Sequence, residues 1–124
     1  MGSFVIITNN PFVVKKYSQI SVYFEKNVLE IYILIRDMVH KGAKILSHPL
    51  SGSIKPWETP YKSVLVSKRQ GTLDFESLKL IEGAIGILKN RKVGEYVYPQ
   101  GVLEDFGIID MDLINSALDS TYQV

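Results

Sequence analysis

The chain has 124 residues, 46% apolar and 22% charged, with a formal net charge of +1. That is a normal globular balance, in a chain long enough to bury a core as one domain. So small a charge makes no broad electrostatic case for nucleic acid or an anionic membrane, and the absence of cysteine removes disulfides, thiolate catalysis, iron–sulfur clusters and cysteine-ligated zinc together.

The opening MGSFVIITNN has no basic region and too short an apolar stretch for a signal peptide, and Ile6 breaks the myristoylation pattern. Phe4 to Thr8 is a short apolar run rich in β-formers, as expected for a strand covered on both faces. It ends at Asn9-Asn10-Pro11. Asn is a favoured N-cap and Pro a favoured first helical residue, so a short helix is expected there. Ile20 to Phe24 reads as a second strand.

Asn27 followed by Glu30 forms a capping-box variant that opens a helix. Val28, Ile31, Tyr32, Ile35 and Val39 fall at helical spacing along it, and Gly42 closes it. Its β-branched content leaves a strand through Ile35 as an alternative. The most apolar segment, VLEIYILI, is interrupted by Glu30 and stopped by Arg36 and Asp37, far short of the ~20 residues a membrane span needs. A soluble, cytoplasmic protein is expected, and the lack of cysteine suits a reducing compartment.

Ala43 to Leu46 and Ser63 to Val66 read as two further strands. Between them runs SHPLSGSIKPWETPYKS, with three prolines, hydroxyls, one histidine, one acid and two lysines. A connection of roughly fifteen residues is usually functional or disordered, and the prolines with Trp57 and Tyr61 argue against disorder. Asp74 caps a helix striped with Leu78, Ile81, Ile85 and Leu88. From Gly101 the tail breaks near Gly107 and resumes at Asp110, which reads as two short helices over about 101–120. The alternation predicts a single α/β domain, 1–124, with a mostly parallel sheet of about four strands and helices on both faces.

Two places are candidates for ligand chemistry. Thr8, Asn9 and Asn10 sit where a strand exits into a helix, a position at which free backbone donors meet anions. The competing reading, that Asn10 caps the helix and Asn9 turns the chain, is the commoner role for such residues. In the loop, Ser51-Gly52-Ser53 exposes N–H groups and hydroxyls, Lys55 and Lys62 add positive charge, and His48 stands at the rim, a set suited to phosphate or carboxylate. Neither GxGxxG nor GxxxxGK[ST] is present. The competing reading is a stiff loop packing Leu50, Ile54 and Trp57 over a sheet end.

His40, His48 and Glu58 form an acid–base set only if the helix end abuts the loop. Otherwise His40 answers a helix dipole and His48 a loop backbone. The histidines with Asp37 or Glu58 match no metal-ligand spacing, and no metal or cofactor is expected. Trp57 and Tyr61 are candidates for an interaction anchor, Tyr96 and Tyr98 before Pro99 for a loop anchor, and a homodimer through a sheet edge is open.

The central motif, with ITNNP near the start and RDMVHKG before it, resembles the GrdX family over Ile6 to about Ser67. These small proteins are named for their association with clostridial glycine, sarcosine and betaine reductase systems. The resemblance implies a cytoplasmic setting among selenium-dependent assemblies that yield acyl phosphates, with a reductase component as partner. It carries no established activity, so no residue inherits a catalytic role. Without cysteine the chain is not itself a thiol or selenol carrier, and an accessory, regulatory or ligand-sensing role is what the resemblance implies.

Overall fold

In the computed structural model, which describes residues 3–52, 55–68 and 71–122, strand β1 (Phe4–Thr8) is the centre of a three-stranded sheet. On one side it pairs in parallel with β2 (Ser21–Tyr23), Ile6 opposite Ser21. On the other it pairs antiparallel with β3 (Ser63–Ser67), Thr8 opposite Ser63 and Phe4 opposite Ser67. The sheet is therefore mixed. This corrects the expected four mostly parallel strands.

The missing strand is the Ala43–Leu46 segment, which makes one antiparallel bridge, Ile45 to Val66. Lys44 and Leu46 exchange backbone bonds with Ser67 and Leu65 at 2.8 and 2.7 Å, but the Ile45 N–H turns outward to the Ser77 hydroxyl at 2.8 Å. The chain then departs for Pro49. The apolar run is strand-like in composition but pairs too briefly to extend the sheet, and Ser77 seals the edge it leaves.

Four helices cover the sheet. α1 (Pro11–Lys16) starts at Pro11, with the Asn10 side chain accepting from the Phe12 N–H at 3.0 Å. α2 (Val28–His40) opens with a complete capping box, Asn27 and Glu30 each accepting from the other's backbone N–H at 2.9 and 3.1 Å. α3 (Phe75–Leu88) is capped by Asp74, which accepts from Ser77. α4 (Gln100–Tyr122) is one continuous helix. It passes straight through Gly107, correcting the expected pair of short helices.

Period-two alternation divides the core. Val5, Ile7, Val64 and Val66 face α2 and α3, packing with Ile31, Ile35, Ile81 and Leu88. Ile6 and Leu65 face the other way, onto Val13 of α1 and Ile114 and Leu118 of α4. Each fully buried side chain of this kind contributes about 1.5–3 kcal/mol against staying in water. Helices on both faces explain why β1 and β3 read as continuous apolar runs.

The long loop is ordered where it is described. The Tyr32 hydroxyl, fully buried on α2, donates to the Pro49 carbonyl, and Pro56–Glu58 form one 3-10 turn. Burial, reinforced by the charge of Asp110, raises the Tyr32 pKa well above its ordinary value, so the hydroxyl stays a donor. These anchors return the chain to the exit of β1.

Candidate functional site

Where β1 ends and β3 begins, side chains from three elements form one buried polar chain. The Asn10 N–H donates to the Thr8 hydroxyl at 2.9 Å, which meets the Ser63 hydroxyl at 2.6 Å. Ser63 donates to the Asp110 carboxylate of α4 at 2.7 Å through its hydroxyl and at 2.9 Å through its N–H. A carboxylate only accepts, so the direction is fixed back to Asn10. The Asn10 amide also donates to Asp110, at 3.0 Å, and to the Gly107 carbonyl at 2.9 Å.

Asn9 is a clamp. Its amide donates to the carbonyls of Lys26 and Pro60, both at 2.9 Å, and its oxygen accepts from the Lys62 N–H at 2.8 Å. Thr8, Asn9 and Asn10 are all buried. The structure engages these three expected ligand donors in holding β1, the loop's return and α4 together.

Lys62 is placed differently. Its residue is only 3% exposed, and its ammonium makes one hydrogen bond among the described residues, to the Ser51 carbonyl at 2.8 Å. An ammonium has three protons to donate. Burial lowers its pKa, while the nearby Asp110 charge pulls it partly back. Asp110 gives both its oxygens to Ser63 and Asn10, so it supplies field without a direct ion pair.

Lys62 lines a hollow of about 480 Å³ together with His48, Ser51 and Ser63, and with Leu113, Ser116 and Ser120 of α4. His48 accepts the Leu50 N–H on Nδ1 at 3.0 Å, which puts the neutral ring's proton on Nε2. A cramped annex of about 80 Å³ on its other side adds Gly52, Thr59 and Tyr61. Gly52 has φ +72°, and a Cβ there would stand 2.7 Å from the Leu113 Cδ1. Only glycine suits that turn without strain.

The remaining candidates lie elsewhere. Lys55 is exposed and pairs with Glu58 at 3.7 Å. Ser53 lies outside the described residues. His40 is exposed at the end of α2, whereas Glu58 lines a separate hollow of about 560 Å³ with Trp57 and Tyr61. His48, His40 and Glu58 thus share no common hollow. Trp57 is half-buried, with the Arg91 guanidinium 4.0 Å over its ring, so one face of the expected anchor is occupied. Among the described residues no cluster of three His, Asp or Glu is disposed to hold a metal ion.

The family profile described as GrdX-like protein matches residues 5–119, from β1 through most of α4. The chain belongs to the GrdX-like family. No curated protein and no solved structure matches it. The GrdX-like match runs well beyond the Ile6–Ser67 segment that carries the resemblance by eye, and takes in α3, Asp110 and most of the α4 wall. Among the described residues no helix is long and apolar enough to cross a membrane.

The part of this GrdX-like site that sequence reasoning missed comes from α4. Asp110 reads only as the restart of a helix, and no sequence signal marks Ser116 or Ser120. Their i, i+4 spacing places the two serines on one helix face, but only the packing of α4 across Ser63 turns that face toward Lys62.

Proposed function

We propose that this GrdX-like protein is a non-redox accessory of a glycine, sarcosine or betaine reductase system that binds a small anion in the hollow around Lys62. One observation carries the reading: a buried ammonium with a single hydrogen bond among the described residues lines a hollow that also carries hydroxyls. Burying an ammonium with unfilled donors is costly unless something answers its charge. A phosphoryl or carboxylate group would take the free donors, with Ser51, Ser116 and Ser120 within the same lining. The reductase context rests on what the family is named for, and the lack of cysteine argues against thiol redox work by this chain itself.

The test is calorimetric titration with phosphate, acetyl phosphate and glycine, on the parent and on Lys62→Met. At least one of these is expected to bind the parent saturably and the variant at least about tenfold more weakly, as loss of a charge-assisted bond implies. Thermal melting shows whether the variant is folded. Equal heats for two folded proteins would defeat the reading.

A further inference from the structure

The 560 Å³ hollow has a chemistry of its own. Its walls carry Tyr23, Trp57, Tyr61, Tyr96 and Tyr98, in a chain with seven tyrosines and one tryptophan. Its charged residues are Glu25, Glu30 and Glu58 against Lys26. In place of the single lysine and the hydroxyls of the other hollow it has ring-bearing side chains and a surplus of carboxylate.

We propose that this hollow binds an organic cation, an N-alkylated ammonium group held against the tyrosine and tryptophan faces with Glu25 as its counter-charge. Ring faces are negative in their quadrupole and attract cations within about 6 Å of the centroid, most strongly when the cation is large and weakly hydrated. The wall already hosts this interaction once, through Arg91 on one face of Trp57.

The carboxylates divide by duty. Glu30 completes the α2 capping box and lies 3.9 Å from Lys26, and Glu58 pairs with Lys55. Glu25 has no ion pair among the described residues, and it stands close enough to Tyr23 for its charge to help burial raise that hydroxyl's pKa. An organic cation would give Glu25 a partner.

Two of the rings, Tyr96 and Tyr98, are braced before any ligand arrives. Tyr96 and Tyr98 stack with centroids 6.1 Å apart, and Tyr98 leans on Phe106 at 5.2 Å. The Tyr98 hydroxyl donates to the Glu58 carbonyl at 2.7 Å. Preorganised rings lose little entropy on binding. A hard metal ion is a poor match, because its carboxylates would have to converge, and here two of the three are committed elsewhere.

Trp57 is the only tryptophan and lines this hollow, so its fluorescence reports on the wall. The full chain is titrated with choline and with 3,3-dimethylbutan-1-ol, the uncharged carbon analogue, and calorimetry is run in parallel. Choline is expected to bind saturably and the alcohol at least tenfold more weakly. Tyr96→Leu and Tyr61→Leu should each weaken choline about fivefold, while Tyr96→Phe, which keeps the ring, stays near the parent. Glu25→Gln should weaken it further at low salt than at high salt. Lys62→Met should bind choline as the parent does, so failure at either hollow leaves the other reading standing. Equal affinity for the alcohol, no saturable choline binding by either method, or an unchanged Tyr96→Leu would overturn the proposal.

Discussion

Asp110 accepts from Ser63 twice and from Asn10 once, while being only 4% exposed. It is one carboxylate tying a helix to the exit of one strand and the start of another. In Asp110→Asn the charge is lost and one acceptor becomes a donor that faces another donor. Hydrogen bonds to buried charged groups contribute about 1.5–3 kcal/mol each, and an unmatched buried donor adds to the loss. Urea unfolding of Asp110→Asn is expected to show a loss of about 2–4 kcal/mol with an unchanged slope. A loss below about 1 kcal/mol would mean that α4 is held by its apolar face alone.

Lys62 has the opposite sign. Burial lowers its pKa below the ordinary 10.5, so the folded chain releases this proton at lower pH than the unfolded chain does. Below the folded value both states carry the charge and the burial penalty is full. Between that value and 10.5 the unfolded state binds more protons, so this group's contribution to stability rises with pH. The stability difference between Lys62→Met and the parent should therefore narrow across the alkaline range. The other lysines and tyrosines cancel in that difference. A constant gap would show that the ammonium is not desolvated as its burial implies.

At the scale of elements, Gly107 of α4 lies directly against Phe12 of α1. A Cβ there would lie 2.4 and 2.6 Å from two ring carbons of Phe12. Glycine inside a helix costs about 1 kcal/mol relative to alanine, yet overpacking costs about 1–3 kcal/mol. Gly107→Ala should therefore lose up to about 2 kcal/mol net by thermal or urea unfolding. Gly83 on α3 has nothing within 4 Å of its Cβ position, and Gly83→Ala should gain up to about 1 kcal/mol. If both variants gained alike, the close crossing of α1 and α4 would be wrong.

Those same elements show what sequence can carry. The starts of α1, α2 and α3 are legible because Asn10-Pro11, Asn27 with Glu30, and Asp74 act within one turn of themselves. Gly107 misleads because its missing side chain serves Phe12, far away along the chain, and not the local backbone. The Ala43–Leu46 run misleads because composition shows that a segment can pair, whereas the length of pairing depends on Ser77 and on the turn toward Pro49.

Across the whole molecule the helix layers on both faces are legible from the uniform apolarity of β1 and β3. The order and sense of the strands are not, since β1 meets β3 across a separation of 55 residues. The candidate site follows the same rule. His48, Ser51, Gly52 and Lys62 are visible as an unusual loop, and the structure groups all four at one hollow and its annex. The burial of Lys62 is invisible until α4 is laid over Ser63, and the gathering of Tyr23 with Tyr96 and Tyr98 joins segments with no shared local signal.

The central position of β1 also affects how the chain is made. During synthesis β1 finds its antiparallel partner only when residues 63–67 follow, and the face that Ile6 turns toward α1 is completed only by Ile114 and Leu118 of α4. Until then Phe4–Thr8 is a short, sticky, edge-exposed ribbon of the kind that invites aggregation. A chain made only as far as β2 therefore leaves one edge of β1 unpaired, and β3 is what closes it.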